Sequence, residues 1–251
     1  MNHYYTDEIN TLILISLLKA HGIKKVIASP GTTNISFVGS IQFDPYFEIY
    51  SAVDERAAAF MACGLAEESN EPVVLTCTGA TASRNYIPGL TEAYYRHLPV
   101  LAVTSTQHGG RIGNYVAQVI DRTEQFPDMV KKSYQIPTVH CEEDKQYTVT
   151  AINDAILELC HNEAGPVHIN LFTTYSNNFV TKELPNFRVI HRIINKDFPE
   201  IPKGNIGVFV GAHEKFTEEE TAVIDRFCKT NNAVVICDQI SNYRGQYRFL
   251  A

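Results

Sequence analysis

The sequence predicts an α/β protein: a doubly wound parallel sheet followed by a partial second α/β domain. Three observations predict it. Short apolar runs without polar alternation recur at Val26–Ala28, Pro72–Thr76 and Val100–Thr104, and Gly165–Leu171 reads as another buried strand. Each is flanked by stretches of helical character, the pattern of strands buried on both faces. The loops after three successive strands carry unusual residues, and open parallel sheets gather their functional groups at the carboxyl ends of their strands.

The elements follow in order. Residues 7–20 read as a helix with Leu12, Leu14, Ile15, Leu17 and Leu18 on a broad apolar face, ended by Gly22. Val26-Ile27-Ala28 is a strand running into Ser29-Pro30-Gly31-Thr32-Thr33-Asn34, a turn with a helix-start signal. Phe47–Ala52 is the next strand and leads to a small-residue helix. Pro72–Thr76 is followed by the loop Thr78-Gly79-Ala80-Thr81, a helix at 86–96 and the strand Val100–Thr104. Residues 107–125 read as loop, 145–162 as helix and 165–171 as a buried strand. Residues 173–203 are polar, carry Pro185, Pro199 and Pro202, and read as a linker. A strand at 206–210, a helix at 218–230 and a strand at 234–237 then begin a second unit too small to close a core alone.

Length and composition narrow the function. The chain has 251 residues, 45% apolar and 20% charged, ordinary for a soluble globular protein. A net charge of −7 argues against a nucleic-acid partner, which would call for a basic face. The run Leu12–Leu18 has no basic region before it and reads as an amphipathic helix, neither a signal peptide nor a membrane span. Cysteines at 63, 77, 141, 160, 228 and 237 form no clip and fit free thiols in a reducing compartment. The nine histidines show no metal spacing. A cytoplasmic protein with no membrane partner, and no metal site in these residues, is expected.

Residues 51–64, Ser-Ala-Val-Asp-Glu-Arg-Ala-Ala-Ala-Phe-Met-Ala-Cys-Gly, are the most informative stretch. A strand ends at a carboxylate, Glu55, and a helix of small residues starts at once. Small side chains let such a helix pack closely and set Glu55 at the mouth of a crevice, where desolvation keeps a carboxyl protonated. The same two acids, Asp54 and Glu55, also suit a plain helix N-terminus. The residues alone leave both readings open.

Ser29-Pro30-Gly31, residues 54–64 and Gly165-Pro166-Val167-His168-Ile169-Asn170-Leu171, in this order and spacing, resemble the amino-terminal half of thiamine-diphosphate-dependent enzymes of the acetolactate synthase and pyruvate decarboxylase superfamily. The resemblance implies a pyrimidine-binding domain over 1–180, a linker over 181–203 and the first part of a middle domain over 204–251. The stretch Ala233–Gly245 looks most like the middle domain of the menaquinone-pathway carboligases. Under the resemblance Glu55 is the activating glutamate. Its carboxyl group bonds a ring nitrogen of the aminopyrimidine and favours the tautomer that takes the proton from the thiazolium carbon, which then attacks a 2-oxo acid. Pro30, Gly31, Thr78, Asn85 and Gln118 match cofactor- and channel-bordering positions. Gln118 also fits a solvated loop and Asn85 a helix cap, and His97 and His108 fit surface or packing roles.

Three departures qualify the resemblance. The menaquinone-pathway carboligases carry Ser-Arg after Ser-Pro-Gly, the arginine serving an anionic substrate; Thr32-Thr33 stands here, which argues against the menaquinone intermediate as product. The Gly-Asp-Gly motif that holds the diphosphate and its Mg2+ is absent, so the metal site is expected in a carboxy-terminal domain. The family stretch Thr-Ser-Gly-Pro-Gly-Ala-Thr-Asn also reads Thr-Gly-Ala-Thr-Ala-Ser-Arg-Asn over 78–85. Three readings follow: the amino-terminal part of a longer decarboxylase or carboligase, inactive alone; one subunit of a split enzyme with a separate diphosphate-binding chain; or a non-catalytic module. A homodimer or dimer of dimers is implied, with the helix around Ala57–Ala66 either its interface or simply core.

Overall fold

The computed structural model describes residues 4–194, 198, 200–201 and 203–250. Pro199 and Pro202 of the expected linker lie outside the described residues. The chain forms two compact units, Met1–Arg192 and Ile193–Ala251.

The first unit opens with β1 (Tyr5–Thr6), α1 (Ile9–Ala20), β2 (Lys25–Ala28), α2 (Ile35–Ile41) and β3 (Glu48–Ser51). It continues through α3 (Glu55–Ser69), β4 (Val73–Cys77), α4 (Thr81–Asn85), α5 (Ile87–Tyr95) and β5 (Val100–Thr106). After a long loop come β6 (Ser133–Ile136), α6 (Glu142–Glu158), β7 (Val167–Phe172) and β8 (Phe179–Thr181). Six strands form one sheet in the order β3-β2-β4-β5-β7-β6, every neighbouring pair parallel. The predicted parallel sheet is therefore present.

Its coverage on both faces is written in the strands themselves. Val26, Val74, Leu101 and Val103 pack with α1, α2 and α6. Their sequence neighbours Ile27, Val73, Leu75, Val100 and Ala102 pack with α3 and α5. Alternate residues thus enter two separate cores, so no polar alternation survives. Each large aliphatic side chain buried this way stabilises the fold by about 1.5–3 kcal/mol.

Helix α3 approaches α5 as closely as its small residues predict. Ala58, Ala59, Ala62, Cys63 and Ala66 are buried, and the Cys63 thiol donates to the Gly89 carbonyl at 3.2 Å. A Cβ on Gly89 would lie 2.9 Å from the Ala59 carbonyl carbon, so this crossing requires glycine. The small face of α3 is core; its opposite face exposes Phe60 and Met61.

Residues 181–192, expected as linker, pack on the first unit. Leu184, Phe187 and Val189 lie against the core, and Asn153 bonds the backbone of Arg188 and Ile190. β8 also pairs antiparallel with β1. The second unit contains β9 (Ile206–Val210), α7 (Glu218–Asn231), β10 (Ala233–Cys237) and β11 (Arg248–Leu250), in a parallel sheet ordered β11-β10-β9. Its small core gathers Cys228, Ala233, Val235, Cys237 and Tyr243. No helix among the described residues is long and apolar enough to cross a membrane.

Candidate active site at the carboxyl edge of the sheet

The three loops singled out from sequence leave β2, β3 and β4, adjacent parallel strands, and so emerge side by side at one edge. The first is held by Asn34, fully buried. Its carboxamide accepts from Gly31 N at 2.8 Å and donates to Ser29 O at 3.2 Å, closing a tight turn. Thr33 donates from Oγ1 to Ser105 O at 3.0 Å, tying the turn to the end of β5. Gly31 rests directly on the Thr78 side chain, so two expected cofactor positions touch. Pro30, Gly31, Thr32, Asn34 and Tyr175 line a cleft of about 450 Å3.

Glu55 is the first residue of α3 and is partly exposed. Capping falls to Asp54, which accepts from Ala57 N at 2.6 Å. The carboxylates are therefore divided: Asp54 caps the start of the helix, and the Glu55 carboxylate makes no hydrogen bond among the described residues. Glu55 is close enough to Cys77 and Tyr86 to act on both electrostatically. Burial, with a small contribution from Glu55, pushes the Cys77 thiol up to about 12. Burial likewise raises Tyr86 well above an ordinary phenol. The Tyr86 hydroxyl lies beside Cys77 and Ser29, yet neither it nor Ser29 Oγ has a hydrogen bond of regular geometry.

The loop after β4 carries a backbone that favours glycine. Ala80 has φ +49° and ψ −122°, a region side chains other than hydrogen rarely enter. Gly79 is required by close approach: a Cβ there would lie 3.1 Å from Gln118 O and 3.2 Å from Ser105 O. Gln118, exposed and at φ +61°, is thereby brought to the same edge through its backbone. Asn85 ends α4 on an exposed surface, and no side chain caps α4 or α5. His97 pairs with Glu163 at the surface and the His108 ring lies tilted at 57° to Phe172, in keeping with surface and packing roles.

Beneath the loops runs a directed chain of polar contacts. The ring of His168 sits 2.8 Å from both Ser133 Oγ and Thr104 Oγ1. Thr104 donates to Asn170 Oδ1, Asn170 Nδ2 donates to Gln135 Oε1, and Gln135 Nε2 donates to Arg122 O. Burial, then Arg122 and Arg84, drive His168 down to about 3, so the imidazole is neutral. Arg122 itself is 2% exposed, and its guanidinium donates only to Ser105 O, at 3.4 Å. Sequence reasoning misses Arg122 and Tyr86: an arginine between Asp121 and Thr123 in a polar loop reads as solvated. Asn34 is visible only as the end of a turn.

These residues are compatible with the pyrimidine half of a thiamine cofactor: the partly exposed Glu55 carboxylate lies at the strand ends, within electrostatic reach of the buried Tyr86 and Cys77. Among the described residues no group of three or more His, Cys, Asp or Glu is placed to hold a metal ion.

Residues 11–125 match the family described as "Thiamine pyrophosphate enzyme, N-terminal TPP binding domain". The 2-succinyl-5-enolpyruvyl-6-hydroxy-3-cyclohexene-1-carboxylate synthase of Bacteroides thetaiotaomicron is 38% identical over 189 residues, covering 75% of this chain and 34% of that protein. The synthase of the same name from Porphyromonas gingivalis is 31% identical over 264 residues, covering 97% of this chain and 44% of that protein. The chain thus spans about a third to under half of these relatives. Among solved structures, a thiamin diphosphate-dependent enzyme from Mycobacterium smegmatis superposes with a TM-score of 0.60 at 18% identity, covering 94% of this chain and 45% of that one. The benzoylformate decarboxylase of Polynucleobacter necessarius gives 0.57 at 19%, covering 93% and 43%. At such identities the structures speak for the fold, and the fold agrees with the sequence match: this chain carries the N-terminal TPP-binding domain of the thiamine pyrophosphate enzymes.

Proposed function

We propose that this chain is the amino-terminal part of a thiamine-diphosphate-dependent 2-oxo acid decarboxylase or carboligase, and that Glu55 activates the cofactor. The observation that carries the reading is the division of roles at the start of α3. Asp54 caps the helix, while the Glu55 carboxylate has no hydrogen-bond partner among the described residues.

When bound, thiamine diphosphate supplies the thiazolium carbon that adds to the 2-oxo acid and the ring that takes up the electron pair released with carbon dioxide. Everything else falls to the protein. Glu55 holds a proton between its carboxyl oxygen and the aminopyrimidine ring, which sets the tautomer. The turn at Pro30 and Gly31, braced by Asn34, forms the wall of the cleft, and Thr78 supports Gly31 from behind. Gln118, on the loop after β5, and Asn85, at the end of α4, are assigned to the border of the site.

Following the resemblance, the diphosphate and Mg2+ are assigned to a carboxy-terminal domain that carries the Gly-Asp-Gly motif. Residues 1–180 are accordingly the core of the pyrimidine-binding domain and 204–251 the start of a middle domain, active only as part of a longer chain or complex in the cytoplasm. Phe60 and Met61, exposed on the outer face of α3, with Val53 before it, suit a homodimer contact that also shields Glu55 from water. Glu55→Gln in the full-length protein is expected to slow exchange of the thiazolium proton by at least about two orders of magnitude. Undiminished exchange would defeat the assignment.

A further inference from the structure

Nine buried side-chain polar atoms among the described residues have no regular hydrogen bond. Three belong to Thr11, Ser36 and Thr148, inside α1, α2 and α6. The other six are Ser29 Oγ, Tyr86 OH, Ser105 Oγ, Thr106 Oγ1 and Arg122 Nε and Nη1. All six come from segments at or beyond the carboxyl ends of β2, β4 and β5. Folded proteins pair nearly all buried polar groups, so a concentration of groups without regular partners at one sheet edge calls for a partner such as water or a ligand.

Arg122 is the extreme member. A buried guanidinium without a carboxylate is costly, since its charge has lost water and gained nothing equivalent. None of the ion pairs among the described residues involves Arg122 or Arg84. The charged and titratable groups acting on Arg122 are Cys77, Arg84 and Tyr175, none of them a carboxylate. Arg84 adds a second positive charge nearby and bonds the Asp121 carbonyl at 3.2 Å. The guanidinium lies at the same loop cluster: Nη2 is 3.4 Å from Ser105 O, the carbonyl that Thr33 also bonds, and 3.4 Å from where a Gly79 Cβ would be. Tyr175, within electrostatic reach, lines the cleft beside Pro30 and Gly31.

We infer that Arg122 is a substrate-binding residue whose guanidinium receives a carboxylate of the 2-oxo acid at the carboxyl edge of the sheet. The inference rests on the proposed function for the identity of the acid. The positive charge and its missing counterion stand independently of it. A planar guanidinium suits a carboxylate better than an ammonium would, because its donors are fixed in one plane.

The test uses the full-length protein and equilibrium binding of pyruvate, 2-oxoglutarate and phenylglyoxylate, measured by calorimetry without cofactor. The wild type is expected to bind at least one of these acids. Arg122→Met should weaken that binding by about thirtyfold or more, the low end for a charge pair deprived of one partner. Arg122→Lys should weaken it less. The unliganded Met variant should also melt at a higher temperature than wild type, because an unpaired buried charge has been replaced by an apolar side chain. Its thiamine diphosphate affinity and thiazolium proton exchange should be unchanged.

The inference is overturned if the Met variant binds the acid as tightly, or if no acid in the panel binds wild type. It is overturned too if the Met variant fails to fold, melts lower, or loses thiamine diphosphate affinity, since the guanidinium would then serve the fold or the cofactor. Failure here leaves Glu55 untouched, because proton exchange is read without any 2-oxo acid present.

Discussion

Lowering the pH should destabilise the first unit through one residue, His168. The ring is 3% exposed, sits between Ser133 and Thr104, and is held neutral, its pKa lowered from 6.5 to about 3, chiefly by burial. Because the folded value lies below the unfolded one, the unfolded chain binds the extra proton. The stability His168 contributes is therefore fully present above pH 6.5 and is lost progressively as the pH falls toward 3. Between pH 7 and pH 5 these two values give a loss of about 2 kcal/mol. For a unit of this size that is a fall of about 4–8 °C in melting temperature. Urea unfolding at the two pH values, followed by far-UV circular dichroism since the chain has no tryptophan, measures it directly. His168→Gln keeps a hydrogen-bonding group and removes the titration. The pH-dependent loss in wild type should exceed that in the variant by about 2 kcal/mol, with equal denaturant slopes. An identical pH dependence in both proteins would refute a neutral, buried imidazole. Carboxylates such as Asp44, held low against its own burial by Lys19 and Tyr5, act below this window and cancel in the comparison.

Two further outcomes follow from backbone geometry. Ala80→Gly should raise stability by about 1 kcal/mol, because φ +49° with ψ −122° burdens alanine and not glycine; a lower melting temperature would mean that the loop does not adopt this conformation. Gly89→Ala should lower stability by about 1–3 kcal/mol, since the added methyl meets the Ala59 backbone and α3 must move. An unchanged urea midpoint would show that α3 and α5 are not in close contact.

Much of the sheet was legible because its strands bury both faces, so Pro72–Thr76 and Val100–Thr104 read as largely apolar runs and the strands Val73–Cys77 and Val100–Thr106 formed there. β6 was not, because Ser133, Tyr134 and Gln135 on this edge strand are only partly buried and carry a polar pattern. β1 and β8 were missed because they are short and pair across most of the first unit, and no local signal encodes such a partner. The packing of 181–192 was hidden for a related reason. Leu184, Phe187 and Val189 are apolar residues spaced among polar ones, and only the tertiary surface shows that they meet a core. At the site, Glu55 was legible from its setting between a strand and a helix of small residues. The free state of its carboxylate was not, since Asp54 and Glu55 suit a helix N-terminus equally until Asp54 is seen to accept the capping bond.

The loop over 78–85 holds a geometry that its own residues do not all favour. Position 79 is glycine and position 80 alanine, and each position makes its own demand. Gly79 answers one of them, since Gln118 O and Ser105 O leave no room for a Cβ there. At position 80 the backbone has a positive φ although alanine occupies it. A chain free to relax would have abandoned that conformation, at a gain of about 1–3 kcal/mol. What prevents it is the packing on either side: Thr78 lies under Gly31, and Gly79 lies beside the Arg122 guanidinium and against the backbone of the Gln118 loop. The unfavourable backbone at Ala80 and the unpaired charge at Arg122 are thus neighbours in one loop cluster, both unfavourable in the unliganded chain. Two such costs at the carboxyl edge of a parallel sheet, next to a free carboxylate at Glu55, are what a site shaped for a ligand would carry.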